Sequence, residues 1–422
     1  MEPSSPILGW TIKVQPPNLK KNMNKLSLFL IALCALPLLS KAVETDPAGF
    51  VTVNLAGNSD SYVYIPFKRS AEFVGTAAAL SANGTYDAGE PFTDGNSNQI
   101  WDNGEIFTDT SNVIALTGTP GLTVNQFVYV SGTQPKRYYV FLKSGTRVGM
   151  YYSVVSNAAA SLTVDTAGDN LTTAINSTTA LEVIPYDTLG SIFPAGAGVN
   201  LSASHSAGLR QSEVLIPDLS SAGKNLAFPR SYYYYSGTAG LGAGWRKAGV
   251  IGAIANDDIL LPDTFFAVRH NVATATSITF TGTVQMAELS TPLGTIAGST
   301  DQDNAVALPF ATEMTLAQLK LFESGAFAGS SSHSAGVRQD EVLVWDNSVL
   351  GKNKAADTSY YYYTGTAGVG PGWRKAGVVG TLADNDVVIG PNKGIVIRKK
   401  ASAQAVTVLW TVRPPYVPVP AP

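Results

Sequence analysis

The residues whose types and spacing could do chemistry lie in an oxygen-rich stretch, residues 94–105. Counted from Asp94, side-chain oxygens fall at positions 1, 3, 5, 9 and 12, and position 7 offers a backbone carbonyl. This is the spacing with which a twelve-residue loop wraps Ca²⁺, its last carboxylate binding through both oxygens. The sequence therefore predicts a structural calcium site with the ligands Asp94, Asn96, Asn98, Ile100, Asp102 and Glu105.

The loop departs from the usual calcium-binding pattern in one position. Gln99 stands sixth, where a glycine normally permits the sharp turn, so we expect weaker binding. Two similar segments, residues 86–94 and 101–109, form a 15-residue repeat around the loop, and no helices are predicted beside it. An acidic surface loop stabilised by Asx turns is the alternative that needs no ion.

Two runs of four tyrosines, residues 232–235 and 360–363, form the second candidate site. Each run is followed by a glycine-rich connection and a Trp-Arg-Lys sequence. Because neighbouring residues of a strand face opposite sides, one aromatic face could be exposed and stack on sugar rings. Tyrosine is also a good strand former, so a purely structural role is the alternative. The candidate ligand-binding residues are Tyr232, Tyr234, Trp245, Tyr360, Tyr362 and Trp373.

The remaining reactive residues give no recognisable catalytic arrangement. His205 and His333 stand in turn-like Ser-His-Ser-Ala-Gly segments, and no Gly-x-Ser-x-Gly sequence is present. Glu213 and Glu341 each stand alone, although glycoside hydrolysis needs a pair of carboxyl groups. We therefore predict no catalytic residues and no enzyme activity. A polysaccharide-active enzyme is the alternative, and it would need a cleft that holds two carboxylates.

The spacing of the candidate residues repeats along the chain. His205 and His333 lie 128 positions apart, as do the tyrosine runs and the tryptophans that follow them. A constant offset predicts one structural unit present twice with loops of equal length. Short alternating apolar runs between frequent turn residues predict an all-β fold of two β-sandwich or barrel-like modules, with a small barrel inserted in the first.

These patterns predict six divisions of the chain. They are an upstream extension plus signal peptide (1–42), an opening hairpin (43–73), an inserted barrel of five or six strands (74–185) with its Asp/Asn-rich loop (83–110), the body of module 1 (186–290), module 2 (291–412) and a proline-rich tail (413–422).

Residues 23–42 have the features of a secretory signal peptide. A basic start is followed by an apolar run, and Ser40 and Ala42 provide the small residues that precede cleavage. The apolar run is too short to span a membrane comfortably. We therefore predict a secreted, periplasmic or cell-surface protein without a transmembrane segment after cleavage. Its single cysteine, Cys34, would be removed with the signal.

The charge of the chain limits the kinds of molecule that it can bind. The 422 residues carry a formal net charge of −3, and no run of lysines and arginines is present. A mildly acidic chain argues against nucleic acid or anionic lipid as the partner. Polysaccharide or other surface proteins are the partners that remain. The sequence therefore predicts an exported structural or adhesive protein, with carbohydrate binding as the alternative.

Five segments resemble a secreted all-β family of unknown function from Verrucomicrobia and related bacteria. They are residues 46–53, 232–235, 245–247, 256–258 and 268–271. The resemblance covers the chain after the signal peptide. It implies export and an all-β body, and it brings no catalytic residues. The calcium-type loop is an addition to the pattern of that family.

Overall fold

The computed structural model describes residues 46–81, 86, 92–107, 112–219, 221–237, 241–366 and 368–418. The protein is nearly all β-structure, with 39% strand and 5% helix, which confirms the predicted class. The predicted extension and signal peptide lie outside the described residues, as do parts of the Asp/Asn-rich loop. Within the described ranges, no helix has the length and apolar character needed to cross a membrane.

The strands and helices are numbered here along the chain. The strands are β1 (Ala48–Leu55), β2 (Asp60–Val63), β3 (Phe73–Ser81), β4 (Val113–Leu116), β5 (Tyr138–Leu142), β6 (Tyr151–Ala158), β7 (Ser161–Asp165), β8 (Ala180–Pro185), β9 (Asp187–Thr188), β10 (Ser212–Ile216), β11 (Arg230–Tyr235), β12 (Gly244–Lys247), β13 (Ile259–Leu260), β14 (Phe266–His270), β15 (Thr276–Thr283), β16 (Leu289–Gly294), β17 (Gln302–Val306), β18 (Met314–Thr315), β19 (Glu341–Asp346), β20 (Thr358–Tyr363), β21 (Gly372–Lys375), β22 (Val387–Ile389), β23 (Lys393–Lys399) and β24 (Thr407–Val412). The α-helices are α1 (Leu189–Ile192) and α2 (Leu316–Leu319).

Two five-stranded antiparallel sheets form the body of the protein. The first sheet runs β2-β14-β10-β11-β12 and takes its strands from residues 60–270, which we call the first half. The second sheet runs β17-β23-β19-β20-β21 and takes its strands from residues 302–399, which we call the second half. Val214 pairs with Tyr232 in the first sheet, and Val342 pairs with Tyr360 in the second. The positions that repeat at a spacing of 128 in the sequence therefore occupy the same register in the two sheets.

The inserted segment folds as a closed six-stranded barrel in the order β3-β4-β7-β6-β5-β8. This confirms the small barrel expected between residues 74 and 185. Its interior is filled by alternating apolar side chains such as Leu162 and Val164, which are fully buried. The apolar stretch 126–130 forms no named strand: residues 124–127 are a turn in which Asn125 takes a left-handed backbone, and Phe127 is buried in the barrel core.

A loop from each half lies across an ion pair of the other half. In the first half, Arg269 donates through Nε and Nη2 to the two carboxylate oxygens of Asp60, at 2.6 and 2.8 Å. The backbone N–H of Asn353, from the second half, donates to the same carboxylate at 2.7 Å. The carbonyl of Gly351 accepts the backbone N–H of Asp60 at 3.0 Å. The Asp60 carboxylate therefore links its own strand, β2, to the neighbouring strand β14 and to the loop of the second half that contains Asn353.

The same set of contacts occurs in the other direction. Arg398 donates to both oxygens of Asp303 at 2.7 and 2.9 Å, and the backbone N–H of Asn225 donates to Asp303 at 2.7 Å. Gly223 accepts the backbone N–H of Asp303 at 3.0 Å. Asn225 takes the left-handed backbone conformation, as its counterpart Asn353 does. We call these two sets the reciprocal contacts, and they fix the space between the halves.

The reciprocal contacts predict a large effect of Asp60→Ala on stability. Asp60 is 3% exposed, so its loss leaves the Arg269 guanidinium without its carboxylate in a largely buried place. We expect a loss of about 3–5 kcal/mol in the free energy of unfolding, measured by urea denaturation. The control Glu323→Ala removes an exposed ion pair with Lys320 and should cost less than about 1 kcal/mol. Equal losses in the two variants would contradict the assignment.

Candidate functional site

A cleft of about 910 Å³ lies between the two halves, next to the reciprocal contacts. Residues from both five-stranded sheets and from both crossing loops line it. Its walls combine aromatic rings with charged side chains, which is the composition expected of a site for a polar organic molecule.

The aromatic part of the cleft centres on Tyr62 of strand β2. The ring of Trp345 lies 5.6 Å from the Tyr62 ring at a tilt of 34°, and Phe265 meets Tyr62 edge-on at 5.8 Å. The Trp345 indole N–H donates to the carbonyl of Lys354 at 3.0 Å, which fixes the orientation of its ring. Burial raises the pKa of the Tyr62 hydroxyl well above its ordinary value, so this group stays protonated.

The charged part of the cleft is balanced. Four carboxylates and four cations line it: Asp60, Asp303, Glu341 and Asp357, with Arg269, Lys354, Lys375 and Arg398. The hydrogen bonds to Asp60 and to Asp303 raise the pKa of the arginine that each one holds. Lys354 and Asp357 form a third ion pair at 3.3 Å. Most charges of the cleft are therefore fixed in position before any ligand arrives.

The cleft does not follow from the sequence motifs, although the sequence holds a signal for it. At matched positions, the first half has Pro217 and Leu226 where the second half has Trp345 and Lys354. All four residues line the cleft. Positions where two otherwise matched units differ in residue type therefore point to the place where the two units serve different purposes.

The tyrosine and tryptophan strands are buried, and the prediction of an exposed aromatic face is wrong. Trp245 and Trp373 are each 1% exposed. Tyr234 and Tyr362 are only partly buried, but each packs edge-on against the tryptophan of its own half, at 5.8 and 5.5 Å. Tyr232 and Tyr360 are 2% and 6% exposed.

Both faces of these strands are covered, which explains the error. Tyr232 and Trp245 belong to the core on one face. On the other face, the ring of His205 stacks on Tyr235 at 4.0 Å, and its Nδ1 lies 2.7 Å from the Tyr233 hydroxyl. The second half repeats these two distances at its own histidine. The histidine motif therefore closes the outer face of each sheet.

The predicted calcium loop has a wrapped backbone. The Asp94 carboxylate accepts the backbone N–H groups of Asn98 and Gln99 at 3.2 and 2.7 Å, and the Gln99 bond is the main cause of its lowered pKa. Glu105 closes the loop by accepting from the backbone of Gly95 at 2.7 Å and of Asp102 at 2.9 Å. These bonds bring the first and last predicted ligands to one side of the loop.

The aromatic members of the 15-residue repeat support the loop. Tyr86 stacks on Trp101 with 4.6 Å between ring centroids, and Phe92 and Phe107 pair through an antiparallel bridge. Ile100 donates its backbone N–H to the Asn98 side chain at 2.7 Å.

Two features of the loop bear on its fit to Ca²⁺. Gln99 has a φ of 62°, the left-handed conformation for which glycine is favoured at this position. The amide nitrogens of Asn96 and Asn98 donate to Asp102 at 2.6 and 2.9 Å. An ion would require the side chains of Asn96 and Asn98 to turn their oxygens inward. The ligand types fit Ca²⁺, and the backbone at Gln99 is strained.

Comparison with protein-family models, with curated proteins and with solved structures found no match for this chain. Among the described residues, no group of three or more His, Cys, Asp or Glu side chains is arranged to hold a metal ion.

The burial of the aromatic strands predicts that Trp245→Ala lowers the stability of the fold. Its indole is 1% exposed and packs against Phe193 at 5.5 Å. We expect the free energy of unfolding to fall by about 3–5 kcal/mol, since the change leaves a cavity in the core. Chemical denaturation measures this loss. Phe50→Ala is the control. Because Phe50 is 75% exposed, its replacement should lower the free energy of unfolding by about 0.5 kcal/mol or less. Similar costs would show that Trp245 is not core.

Proposed function

We propose that the protein is a non-catalytic glycan-binding protein and that the glycan binds in the cleft between the two halves. The observation that carries this proposal is the combination of an aromatic wall around Tyr62 and Trp345 with hydrogen-bonding groups held by ion pairs. Sugar rings have apolar faces that pack on aromatic rings and hydroxyls that need fixed donors and acceptors. The proposed site is thus separate from the tyrosine strands, which the sequence suggested as the carbohydrate-binding alternative.

The hydrogen bonding of the cleft aspartates favours binding over hydrolysis. A glycosidase needs one carboxyl group that is protonated and a second that acts as base or nucleophile. In the cleft, Asp60 and Asp303 are each held by two hydrogen bonds from an arginine, and Asp357 pairs with Lys354. The carboxylate oxygens of these three aspartates are therefore already engaged by protein donors, which favours a fixed binding surface over a reactive pair.

We further propose that the protein acts outside the cytoplasm, at the cell surface or beyond it, in a structural or adhesive role. The signal-like residues 23–42 support export. Glycan binding by a protein of this kind would attach it to surface polysaccharide.

We also propose that the loop at residues 94–105 binds Ca²⁺ in a structural role, through Asp94, Asn96, Asn98, Ile100, Asp102 and Glu105. The oxygen spacing and the wrapped backbone support this assignment. The bound ion would offset the repulsion among Asp94, Asp102 and Glu105 and order the loop.

The glycan proposal predicts that Trp345→Ala weakens binding. Loss of an aromatic anchor should raise the dissociation constant about 30-fold, measured by calorimetry with the best oligosaccharide from an array of neutral, uronic and amino sugars. The control is Trp101→Ala, which removes a tryptophan of the calcium-type loop and should leave the affinity unchanged. Unchanged affinity in the Trp345 variant would place the site elsewhere.

The calcium proposal predicts a higher melting temperature in Ca²⁺ than in chelator. The double variant Asp94→Ala/Glu105→Ala should lose this difference, because it removes the first and the bidentate ligand. Gln99→Gly should instead raise the calcium affinity, since it relieves the left-handed backbone at residue 99. Calorimetric titration with CaCl₂ measures both effects. An identical melting curve with and without Ca²⁺ would rule out the site.

A further inference from the structure

The imidazole of His270, at the end of strand β14, is fully buried and fastens a loop to the first sheet. The backbone N–H of Asn200 donates to the Ser212 hydroxyl at 2.9 Å, and Ser212 Oγ lies 2.7 Å from Nδ1 of His270. On the other side of the ring, Nε2 lies 2.8 Å from Oγ1 of Thr276, which donates to the Gly198 carbonyl at 2.7 Å. The ring thus ties one loop to β10 and β15, and we call these five residues the histidine latch.

Only one placement of hydrogen atoms satisfies every group of the latch. The Thr276 hydroxyl donates to a carbonyl, so its oxygen accepts from Nε2 of His270. A neutral imidazole carries a single N–H, so Nδ1 is left to accept from the Ser212 hydroxyl. The Ser212 oxygen in turn accepts the backbone N–H of Asn200. The latch is therefore complete only when the ring is neutral.

The second half fastens the matching loop with an ion pair instead. The Asp340 carboxylate accepts the backbone N–H of Ala328 at 2.7 Å and binds the Lys399 ammonium. The same ammonium donates to the Ala326 carbonyl at 2.6 Å. This connection contains no histidine. The matched positions are Gly198 and Ala326, Asn200 and Ala328, Ser212 and Asp340, and His270 and Lys399.

A second proton on the His270 ring disrupts the latch. Nδ1 would become a donor aimed at Ser212 Oγ, and the Ser212 hydroxyl hydrogen would lose its acceptor. Ser212 is 1% exposed, so water does not replace the lost partner while the loop is closed. The ring would also carry a charge in a place that is shielded from solvent. Accordingly, burial lowers the pKa of the His270 imidazole below its ordinary value.

The charged groups nearest to the latch do not face the ring. Glu213 and Arg269 pair across β10 and β14, one position along from the pair formed by Ser212 and His270, so they point to the opposite face. Strand β15 and residues 194–200 contain no titratable side chain. The charged side chains on the opposite face are Asp60, Arg210, Glu213, Arg269 and Lys352.

We infer that the histidine latch opens in acid: uptake of one proton by His270 releases residues 194–200 from β10 and β15, while residues 322–328 of the second half stay closed. In the open form, the imidazole reaches water and regains its ordinary pKa of about 6.5. The closed form binds the proton less well, so lowering the pH below this value favours the open form until the lowered pKa of the closed form is reached. The latch does not require the cleft to bind a glycan.

Hydrogen exchange of the full-length protein, followed by mass spectrometry at pH values above and below about 6.5, tests the latch. Exchange is corrected for the intrinsic rate of each segment at each pH. The protection of residues 194–200 should then fall about tenfold for each pH unit below this value. Residues 322–328, measured in the same samples, should keep their protection.

Variants of the latch separate the imidazole from other effects of acid. His270→Gln provides an amide that can accept from Ser212 and donate to Thr276 without titrating, so the protection of residues 194–200 should no longer depend on pH. Ser212→Asp/His270→Lys copies the ion pair of the second half and should have the same effect. The control is His333→Gln, which removes a histidine of the second half and should leave the response unchanged. Thermal melts at neutral pH establish that each variant is folded.

Two results would overturn the inference. One is an equal loss of protection in both loops of the unmodified protein when the pH is lowered. The other is a pH response of residues 194–200 that persists in folded His270→Gln, which decides the matter even if the double variant does not fold. Loss of the response in the latch variants, together with its survival in His333→Gln, supports the inference.

Discussion

The body of the protein depends on one kind of interaction. An arginine binds both oxygens of an aspartate carboxylate, and a backbone N–H from the opposite half donates to the same carboxylate. Asp60 and Asp303 each serve in this way. A guanidinium and a carboxylate match in shape and charge, so the pair tolerates little displacement. Because each pair also holds a loop from the other half, the halves cannot shift without breaking ionic hydrogen bonds. The cleft exists because these two points keep the sheets at a fixed separation.

The two halves share their core and differ in the cleft. The tyrosine and tryptophan strands have equal register and similar burial in both sheets, and the histidine stacks on its tyrosine at 4.0 Å in each. Residues that keep a fold closed are constrained by packing on both faces, so they recur. Cleft residues face solvent or ligand and are free to diverge. Trp345 and Lys354, which stand where the first half has Pro217 and Leu226, are the clearest products of that freedom.

Much of the architecture could be predicted from the sequence, because it follows from local patterns. Alternating apolar residues and frequent turns predicted the strands and the barrel, and the constant spacing corresponds to equal register in the two sheets. The cleft could not be predicted, since it joins Tyr62 to Trp345 across most of the chain. The aromatic strands were placed wrongly, because alternation shows that two faces differ but does not show that a loop around His205 covers the outer one.

The reciprocal contacts have the form of a two-fold association between two like subunits, carried out within a single polypeptide. Two separate chains that met in this way would come apart when diluted, because dissociation is governed by concentration. Here each loop remains at a high effective concentration next to its partner strand, whatever the amount of protein present. The space between the halves is therefore preserved even when single molecules are far apart, and its geometry does not depend on an encounter with a second copy.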